Sequence, residues 1–468
     1  MAEGVTQEID RFYHPKTVAL IGVSGSFGFG SGLPRFLIDQ GWGDRIYPVN
    51  PKVDEIEGIR AYPSLRDVPE EIELACIMVP AQAVEEVLKD CVAKGVKAVI
   101  VMSAGFAETG PEGQNRQDAL ARIAREAGIR MIGPNCIGVV DVPGGFATVE
   151  ILLRNIQPGN ISMVAQSGVF GNILLDGAPA EGVRIAKVAT IGNRADLDET
   201  DFLAYYAEDP DTEVIVLYLE SIRRGREFVE TVRSVSLKKP VLAYLGGQTE
   251  AGRKATSSHT GSMAGFRRID KDAIQQAGVW IAEDPVELLE TAKVFSLCPL
   301  PQGSKVLTVT ASGSLGVMAA DRLVKENLAF AELSPAGLAQ LREKAPPWMN
   351  LGNPLDVGPS GLFREAMYVG LESPEVDAVL AFPVIPWAVV SPLLRDDPGA
   401  VEALFVDRAL LKKAVARKPV IMSVPGHPEW REACSRLLFP GVPIVSTPQA
   451  AARALGALYR YAKWRQRT

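Results

Sequence analysis

The sequence carries the stretch Ile161-Ser-Met-Val-Ala-Gln-Ser-Gly-Val-Phe-Gly171, and it carries a second version of it, Val306-Leu-Thr-Val-Thr-Ala-Ser-Gly-Ser-Leu-Gly316. In each version an apolar run of strand length ends in small residues that open a helix. A strand that passes through a Ser-Gly turn into a helix is typical of a doubly wound α/β unit. The chain from about residue 160 onward is therefore predicted to contain two related units of the flavodoxin-like type.

The later landmarks of the two units also match, and they come in the same order. In the first unit they are the polar loop Ile191-Gly-Asn-Arg-Ala-Asp196 and the apolar runs 213–218, 239–242 and 278–282. In the second they are Leu351-Gly-Asn-Pro-Leu-Asp356 and the runs 376–381, 418–421 and 441–445. A proline-rich join at 298–303 separates the units. The side chains of Asn193, Asp196, Asn353 and Asp356 are expected to order their loops by hydrogen bonds to the backbone.

The segment before these units, about residues 15–141, alternates short apolar runs with amphipathic stretches. This pattern indicates a parallel, doubly wound sheet of the Rossmann-like type. The strand candidates are 17–23, 45–49, 74–79, 98–102 and 131–132, and the helix candidates include 83–94 and 113–127. A glycine-rich turn at 22–32 follows the first strand. Such a turn either lets backbone N–H groups approach a phosphate or serves as a plain tight turn.

Length and composition exclude several classes of protein. The 468 residues suggest about three domains. The net charge of −7 is interspersed, with no run of Lys or Arg, which argues against a nucleic-acid partner. The five cysteines stand singly, so neither a disulfide framework nor a zinc site is indicated, and no metal site is predicted. Because no secretory leader and no membrane-length apolar run is evident, we expect a cytoplasmic protein without a membrane contact.

The two Ser-Gly turns have two interpretations. A helix N-terminus exposes unpaired N–H groups at the positive end of the helix dipole, and two such ends facing each other would hold one phosphoryl group. The alternative for each turn alone is simple N-capping by serine. Recurrence of the turn at matching places in both units favours the phosphate site, formed by Gln166, Ser167 and Gly168 together with Ser312, Gly313 and Ser314.

Histidine chemistry is restricted to three residues, His14, His259 and His427. His14 and His427 are expected to be ordinary surface residues. His259 lies in a small, polar, glycine-rich segment at 246–265, of the kind that can carry a side chain between sites, and imidazole is a competent phosphoryl acceptor near neutral pH. Glu220 follows an apolar strand, where it could orient the imidazole of such a histidine and stabilise its charge; alternatively it is a plain solvated carboxylate.

With these residues in place, the chain resembles the NDP-forming acyl-CoA synthetases, in particular the alpha subunits of the ADP-forming type, which are related to succinyl-CoA synthetase. The resemblance covers nearly the whole chain. The motifs that carry it are Val49-Asn-Pro-Lys52, Val79-Pro-Ala81, Ser103-Ala-Gly-Phe106, Gly133-Pro-Asn-Cys136, Gln166-Ser-Gly168, Tyr218-Leu-Glu220, Ser258-His-Thr-Gly261 and Asn353-Pro-Leu-Asp356.

The resemblance implies three domains with different roles. Residues 1–150 would form a CoA-binding domain, 151–300 the domain with a phosphohistidine loop, and 301–468 a second flavodoxin-like domain. It implies His259 as the phosphorylated residue and Glu220 as its stabiliser, with both Ser-Gly turns as the phosphate cradle. The CoA contacts it implies are Ser24, Gly25, Lys52, Val79, Pro80, Ser103, Ala104, Asn135 and Cys136.

The resemblance also implies the reaction and the partner. Acyl-CoA, ADP and phosphate would be interconverted with carboxylic acid, ATP and CoA through acyl phosphate and phosphohistidine. An ATP-grasp beta subunit, in an α2β2 assembly, would bind most of the ADP or ATP with magnesium. Two other hypotheses stay open: a CoA-binding or nucleotide-binding regulatory module without catalysis, and an NADP-dependent oxidoreductase.

Overall fold

The computed structural model describes residues 2–24, 30–254, 266, 268–347 and 349–467. The chain forms two compact units, Met1–Leu289 and Glu290–Thr468. The limit between them lies within the helix Pro285–Leu297, a little before the proline-rich join. The predicted domain limits at 150 and 300 remain predictions.

The first sheet of the N-terminal unit contains five parallel strands in the spatial order β2-β1-β5-β6-β7. They are β1 (Val18–Ile21), β2 (Ile46–Val49), β5 (Leu74–Ile77), β6 (Ala98–Val101) and β7 (Arg130–Ile132). A two-stranded hairpin, β3 (Glu55–Ile56) and β4 (Ile59–Arg60), follows β2. Nearly every strand residue is buried, because helices cover both faces of the sheet. The predicted Rossmann-like sheet is confirmed.

One helix of this first part precedes β1, and the others lie between strands along the chain. They are Ala2–Tyr13, Leu33–Asp39, Ala81–Lys94 and Pro111–Ala127, with short 3-10 turns at Leu65–Asp67, Ala107–Thr109 and Leu153–Asn155. The two long helices each end at a glycine in the left-handed conformation, Gly95 (φ 85°) and Gly128 (φ 66°). Glycine is the usual residue at this position, since it adopts a positive φ without a steric cost.

The second sheet of the same unit has seven strands in the order β14-β13-β12-β10-β11-β8-β9. They are β8 (Gly138–Asp141), β9 (Phe146–Ala147), β10 (Pro158–Ala165), β11 (Ile185–Thr190), β12 (Val214–Leu219), β13 (Val241–Leu245) and β14 (Trp280–Ala282). The helices are Gly168–Gly177, Glu199–Glu208, Gly225–Lys238, Arg268–Gln276 and Pro285–Leu297. β8 and β9 are antiparallel to their neighbours, so residues before position 150 extend the sheet of the following segment.

The C-terminal unit contains the third sheet, with strand order β16-β15-β18-β19-β20 and β17 paired to β15. Its strands are β15 (Lys305–Thr310), β16 (Ala329–Phe330), β17 (Leu355–Asp356), β18 (Ala378–Phe382), β19 (Val420–Ser423) and β20 (Ile444–Val445). All pairings are parallel, which is the flavodoxin-like arrangement predicted from the repeat.

Helices surround this third sheet on both faces. They are Gly313–Lys325, Pro335–Lys344, Phe363–Glu372, Trp387–Asp396, Pro398–Phe405, Arg408–Val415, Pro428–Ala433 and Pro448–Arg467, with a π-helical turn at Cys434–Leu438. Apolar side chains of the sheet and of the helices between Pro335 and Ala433 form a buried cluster that includes Leu307, Phe363 and Trp430.

The two Ser-Gly turns have the predicted strand-turn-helix form but differ in how the serine is used. The Ser167 hydroxyl accepts a hydrogen bond from the N–H of Phe170 at 3.4 Å and caps its helix. Ser312 makes no such cap; its hydroxyl contacts the Ser314 hydroxyl at 3.0 Å. The simple capping interpretation therefore holds for Ser167 and fails for Ser312.

His14 lies at the surface, as the sequence suggested, but its ring pairs with two carboxylates. Its Nδ1 lies 2.9 Å from Asp10 Oδ1, and its Nε2 lies 3.0 Å from Asp141 Oδ2. Asp141 is only 1% exposed. The hydrogen bond with Asp141 is the largest influence on His14 and, with the contribution of Asp10, raises the pKa of its imidazole to about 9 against the opposing effect of burial. His14 therefore ties the N-terminal helix to β8.

The His14 pairing predicts a pH-dependent stability. Because the folded-state pKa is raised above about 6.5, the contribution of His14 is fully present below that pH and is lost as the pH rises through 9. We expect the difference in unfolding free energy between wild type and His14→Asn to shrink between pH 6.5 and 9, measured by urea unfolding. His427→Asn is the control, since that ring stacks on Trp387 and pairs with no carboxylate in the described part of the chain. A difference independent of pH would contradict the assignment.

The capping difference predicts unequal effects of two matched substitutions. Ser167→Ala removes a helix cap and should lower the unfolding free energy by about 1 kcal/mol. Ser312→Ala removes no cap and should leave stability within about 0.5 kcal/mol of wild type. Urea unfolding of both variants measures the difference. Equal losses would show that the Ser167 hydroxyl does not act as a cap.

Candidate active site

The residues predicted to bind CoA gather at one edge of the first sheet. Because all five strands are parallel, the loops at their carboxyl ends lie side by side. These loops contain the candidates Ser24 after β1, Lys52 after β2, Val79 and Pro80 after β5, Ser103 and Ala104 after β6, and Asn135 and Cys136 after β7. Gly25 lies outside the described residues.

Asn50, which the sequence reasoning missed, joins the first two of these loops. Its side-chain N–H donates to the carbonyl of Val23 at 2.7 Å, and its Oδ1 accepts from the N–H of Lys52 at 2.9 Å. Gly22 allows a further close approach, since a Cβ there would lie 2.7 Å from a methyl group of Val79. The loops after β1, β2 and β5 are thus held against each other, with the Lys52 side chain exposed.

The candidates differ in what they can offer a ligand. The Ser103 hydroxyl is 2.5 Å from the carbonyl of Val79 and is already used within the protein. The Cys136 thiol is buried and donates to the carbonyl of Val101 at 3.3 Å, and burial raises its pKa. Lys52, Pro80 and Ala104 are exposed at the edge. Exposed contacts are therefore available from these three, whereas the Ser103 and Cys136 side chains stabilise the loops.

Glu220 lies directly after β12, at the carboxyl end of the second sheet, as predicted. Its carboxylate is 6% exposed, which rules out the plain solvated carboxylate considered above. The Tyr218 hydroxyl donates to Glu220 Oε1 at 2.9 Å. Burial, together with the charge of Glu220, raises the pKa of Tyr218, so this phenol remains a donor. Glu220 is therefore a buried, oriented carboxylate.

Gln166 has a different structural role from the predicted phosphate contact. Its Oε1 accepts from the N–H groups of Glu220 at 2.7 Å and Ser221 at 3.1 Å. Its Nε2 donates to the carbonyl of Ser221 at 2.7 Å and to Glu199 at 3.1 Å. The side-chain amide is thus committed to the two peptide groups that follow β12, and it holds Glu220 at the strand end.

A buried ion pair behind Gln166 was not identified from the sequence. Arg194 Nη1 lies 3.2 Å from Glu199 Oε2, and both side chains are almost inaccessible. Arg194 also donates to the carbonyl of Ser221 at 3.1 Å and to its hydroxyl at 2.9 Å. Burial raises the pKa of Glu199, while the Arg194 charge opposes that rise. The available sequence signal was Arg194 inside the loop Asn193–Asp196, with Glu199 three residues after that loop.

The glycines of both Ser-Gly turns are required by close packing. A Cβ on Gly168 would lie 2.7 Å from Ile137 Cγ1. In the C-terminal unit, a Cβ on Gly313 would lie 2.8 Å from Asp356 Oδ2. Because neither glycine has a side chain, the N-terminus of each helix is left uncovered at that position. His259 lies outside the described residues.

The described ranges contain neither a cluster of metal ligands nor a membrane-spanning helix. Among those residues no group of three or more His, Cys, Asp or Glu side chains could hold a metal ion. In the same part of the chain, no helix combines the length and apolar character needed to cross a bilayer.

The chain is similar to known proteins over nearly its whole length. Three protein-family models match it: a CoA binding domain over residues 16–141, a succinyl-CoA ligase like flavodoxin domain over 158–295, and a ligase-CoA domain over 306–468. The solved structure of the dinucleotide forming acetyl-coenzyme A synthetase 1 of Ca. Korarchaeum cryptofilum, in complex with phosphate and ADP, superposes with a TM-score of 0.87 at 31% identity. That match covers 98% of this chain and 97% of the other.

Curated relatives give the same result. The alpha subunit of ADP-forming acetate–CoA ligase II of Pyrococcus furiosus is 34% identical, over 97% of this chain and 98% of its own length. The ADP-forming acetate–CoA ligase of Methanocaldococcus jannaschii is also 34% identical, but the match covers 64% of that longer chain. Because the Pyrococcus furiosus alpha subunits match this chain from end to end, the chain belongs to the NDP-forming acyl-CoA synthetases. This family includes the alpha subunits of the ADP-forming acetate–CoA ligases.

Proposed function

We propose that this chain is the alpha subunit of an ADP-forming acyl-CoA synthetase. The reaction interconverts acyl-CoA, ADP and phosphate with a carboxylic acid, ATP and CoA. The observation that carries the proposal is the buried Glu220 carboxylate, oriented by Gln166 and Tyr218 at the carboxyl end of β12. The end-to-end similarity to acetate–CoA ligase alpha subunits supports it.

The chemistry assigned to the chain is phosphoryl transfer through His259. Phosphate attacks the thioester carbonyl of acyl-CoA, so that acyl phosphate forms and the CoA thiolate leaves. A neutral ring nitrogen of His259 then takes the phosphoryl group and releases the carboxylate. Finally the phosphohistidine transfers the group to ADP. Glu220 accepts a hydrogen bond from the protonated ring nitrogen, and its negative charge stabilises the positive charge of the phosphorylated imidazole.

The carboxyl edge of the first sheet is assigned to CoA. Its exposed Lys52 suits an anionic phosphate of the nucleotide, and the loops with Pro80 and Ala104 offer apolar contact for the pantetheine arm. Gln166 is better assigned to positioning than to phosphate binding, since its amide is occupied by the backbone after β12. The helix N-terminus at Gly168 and that at Gly313 are each proposed, separately, as a position that suits a phosphoryl group.

A separate partner completes the enzyme in this proposal. None of the three matched family domains is an ATP-grasp domain, and one group of relatives is named as alpha subunits. We assign nucleotide binding, ADP or ATP with magnesium, mainly to an ATP-grasp beta subunit in an α2β2 assembly. The cytoplasm is the proposed location of this complex.

The first prediction of the proposed function is a phosphorylated histidine. The complex isolated from its own cells should take up label from γ-phosphate-labelled ATP with magnesium, and the acid-labile label should map to His259. ADP, or a carboxylic acid with CoA, should discharge it. His259→Ala should bind CoA normally yet form no phosphoenzyme. Acyl-CoA synthesis retained by His259→Ala would contradict the mechanism and favour another nucleophile; CoA binding without any label on wild type would indicate a regulatory module.

A second prediction separates Glu220 from its neighbour Tyr218. Glu220→Gln removes the charge that stabilises the phosphorylated ring and should slow phosphoenzyme formation about 100-fold. Tyr218→Phe removes only one hydrogen bond to the same carboxylate and should slow it less than about 10-fold. Rapid-quench measurement of labelling compares the two. Equal effects would show that the carboxylate charge is not the important contribution.

A third prediction tests the CoA edge. Lys52→Ala should weaken CoA binding about 10-fold, by loss of a charge-assisted contact, and should leave labelling by ATP unchanged. Lys97→Ala is the matched control, because Lys97 is equally exposed but precedes β6 at the opposite edge of the sheet. Calorimetric titration with CoA measures both. If both lysines, or neither, affect the affinity, CoA does not bind at the carboxyl edge.

A further inference from the structure

One loop of the N-terminal unit contacts both the candidate CoA edge and the network behind Glu220. This loop, residues 191–196, connects β11 to the helix Glu199–Glu208. Its backbone is fastened to the loop after β7, because the N–H of Asn193 donates to the carbonyl of Pro134 at 2.8 Å and the N–H of Ala195 donates to Gly133 at 2.9 Å. Gly192 permits this approach, with a φ of 53° and a Cβ position that the Asn135 carbonyl would obstruct.

The Asn193 side chain faces the CoA edge. Its Nδ2 donates to Glu108 Oε2 at 2.6 Å and to Gln117 Oε1 at 3.0 Å. Its Oδ1 is 3.4 Å from the Asn135 amide nitrogen. The sequence predicted bonds to the local backbone for Asn193, and that prediction is wrong for its side chain, whose partners are three side chains from distant parts of the chain.

Glu108 extends the influence of Asn193 to the loop after β6. Its Oε1 accepts from the N–H groups of Gly105 at 2.5 Å and Phe106 at 3.1 Å. Burial would raise the pKa of Glu108, but the hydrogen bonds from Asn193 and from these backbone groups lower it. Glu108 is thus held as a carboxylate that shapes the loop beside Ala104, one of the exposed CoA candidates.

The next residue, Arg194, contacts the hydrogen-bond network around Glu220. Its guanidinium is 4% exposed and bonds Glu199 and the carbonyl and hydroxyl of Ser221. Ser221 is the residue after Glu220, and its carbonyl accepts from both Arg194 and Gln166. Arg194 adopts the left-handed conformation, with φ 58°, which is uncommon for a residue with a side chain. Such backbone is retained where the surrounding contacts over-determine it.

We propose that loop 191–196 is a joint between the two partial sites, in which Asn193 is a positioning residue for CoA and Arg194 is a positioning residue for Glu220. This inference rests on the proposed function. The joint keeps the CoA edge and the Glu220 carboxylate in a fixed relation, as required if acyl phosphate formed at the thioester is to react with a histidine stabilised by Glu220. Two neighbouring side chains should therefore control two different steps.

The test is a separation of effects in the purified complex. Asn193→Ala should weaken CoA binding about 10-fold by calorimetry and leave the rate of His259 labelling from ATP within twofold of wild type. Arg194→Lys should slow labelling about 10-fold and leave CoA affinity within twofold. Because removal of one partner of a buried ion pair is often strongly destabilising, Ser221→Ala provides a milder variant. It removes only the hydroxyl that Arg194 bonds and should behave as Arg194→Lys does, to a lesser degree.

The outcomes distinguish this inference from the proposed function. If Asn193→Ala and Ser221→Ala each reduce CoA affinity and labelling to the same extent, the loop is a plain structural connection and the joint is refuted. The joint is also refuted if neither variant changes either quantity. If the wild-type complex takes no label, the proposed function fails. The CoA titrations then still test the inference. They must show weaker CoA binding in Asn193→Ala and unchanged CoA binding in Ser221→Ala.

Discussion

Burial of the parallel strands on both faces is the constraint from which the candidate site follows. Helices cover the three sheets, and the central strands consist almost entirely of buried apolar side chains. Polar groups that bind or react therefore stand where the strands end, since the interior cannot accommodate them without partners. This explains why the CoA candidates and Glu220 come from loops far apart in sequence and yet lie at carboxyl edges of sheets.

Placing a carboxylate at such an edge creates a second requirement. Glu220 and Ser221 are buried, so their peptide groups need hydrogen-bond partners after the ladder of β12 ends. The Gln166 amide supplies bonds to both N–H groups and to one carbonyl. An unsatisfied buried peptide group costs about 1–3 kcal/mol, so a side chain with both a donor and an acceptor is well suited to this position. Arg194 donates a second bond to the Ser221 carbonyl and one to the Ser221 hydroxyl, and Glu199 accepts from both Gln166 and Arg194.

The sequence was sufficient for the features that depend on local pattern. Apolar runs predicted the five strands of the first sheet and most strands of the other two, although β8, β9 and β11 were among those missed. The repeat predicted two flavodoxin-like units, and the position of Glu220 after an apolar run predicted its place at a strand end. The missed features depend on partners distant in sequence. The Arg194–Ser221 bonds, the Asn193–Glu108 bond and the His14–Asp141 pair each join separate elements, and no local periodicity indicates them. For the same reason, the pairing of β8 with β11 could not be predicted.

The two flavodoxin-like units differ at the two positions that determine the surroundings of Glu220. At the position of Gln166 the second unit has Ala311, and after β18, where the first unit has Glu220, it has Pro383. Pro383 has no N–H, so the second unit has no need of a glutamine to satisfy that group. Its carbonyl instead accepts from Trp430. The second unit therefore retains the Ser-Gly turn and helix N-terminus without a carboxylate at the end of β18, although Asp356 lies beside its Gly313. In the proposed mechanism Glu220 stabilises the cationic phosphohistidine ring, and Pro383 cannot do the same at the matching position of the second unit.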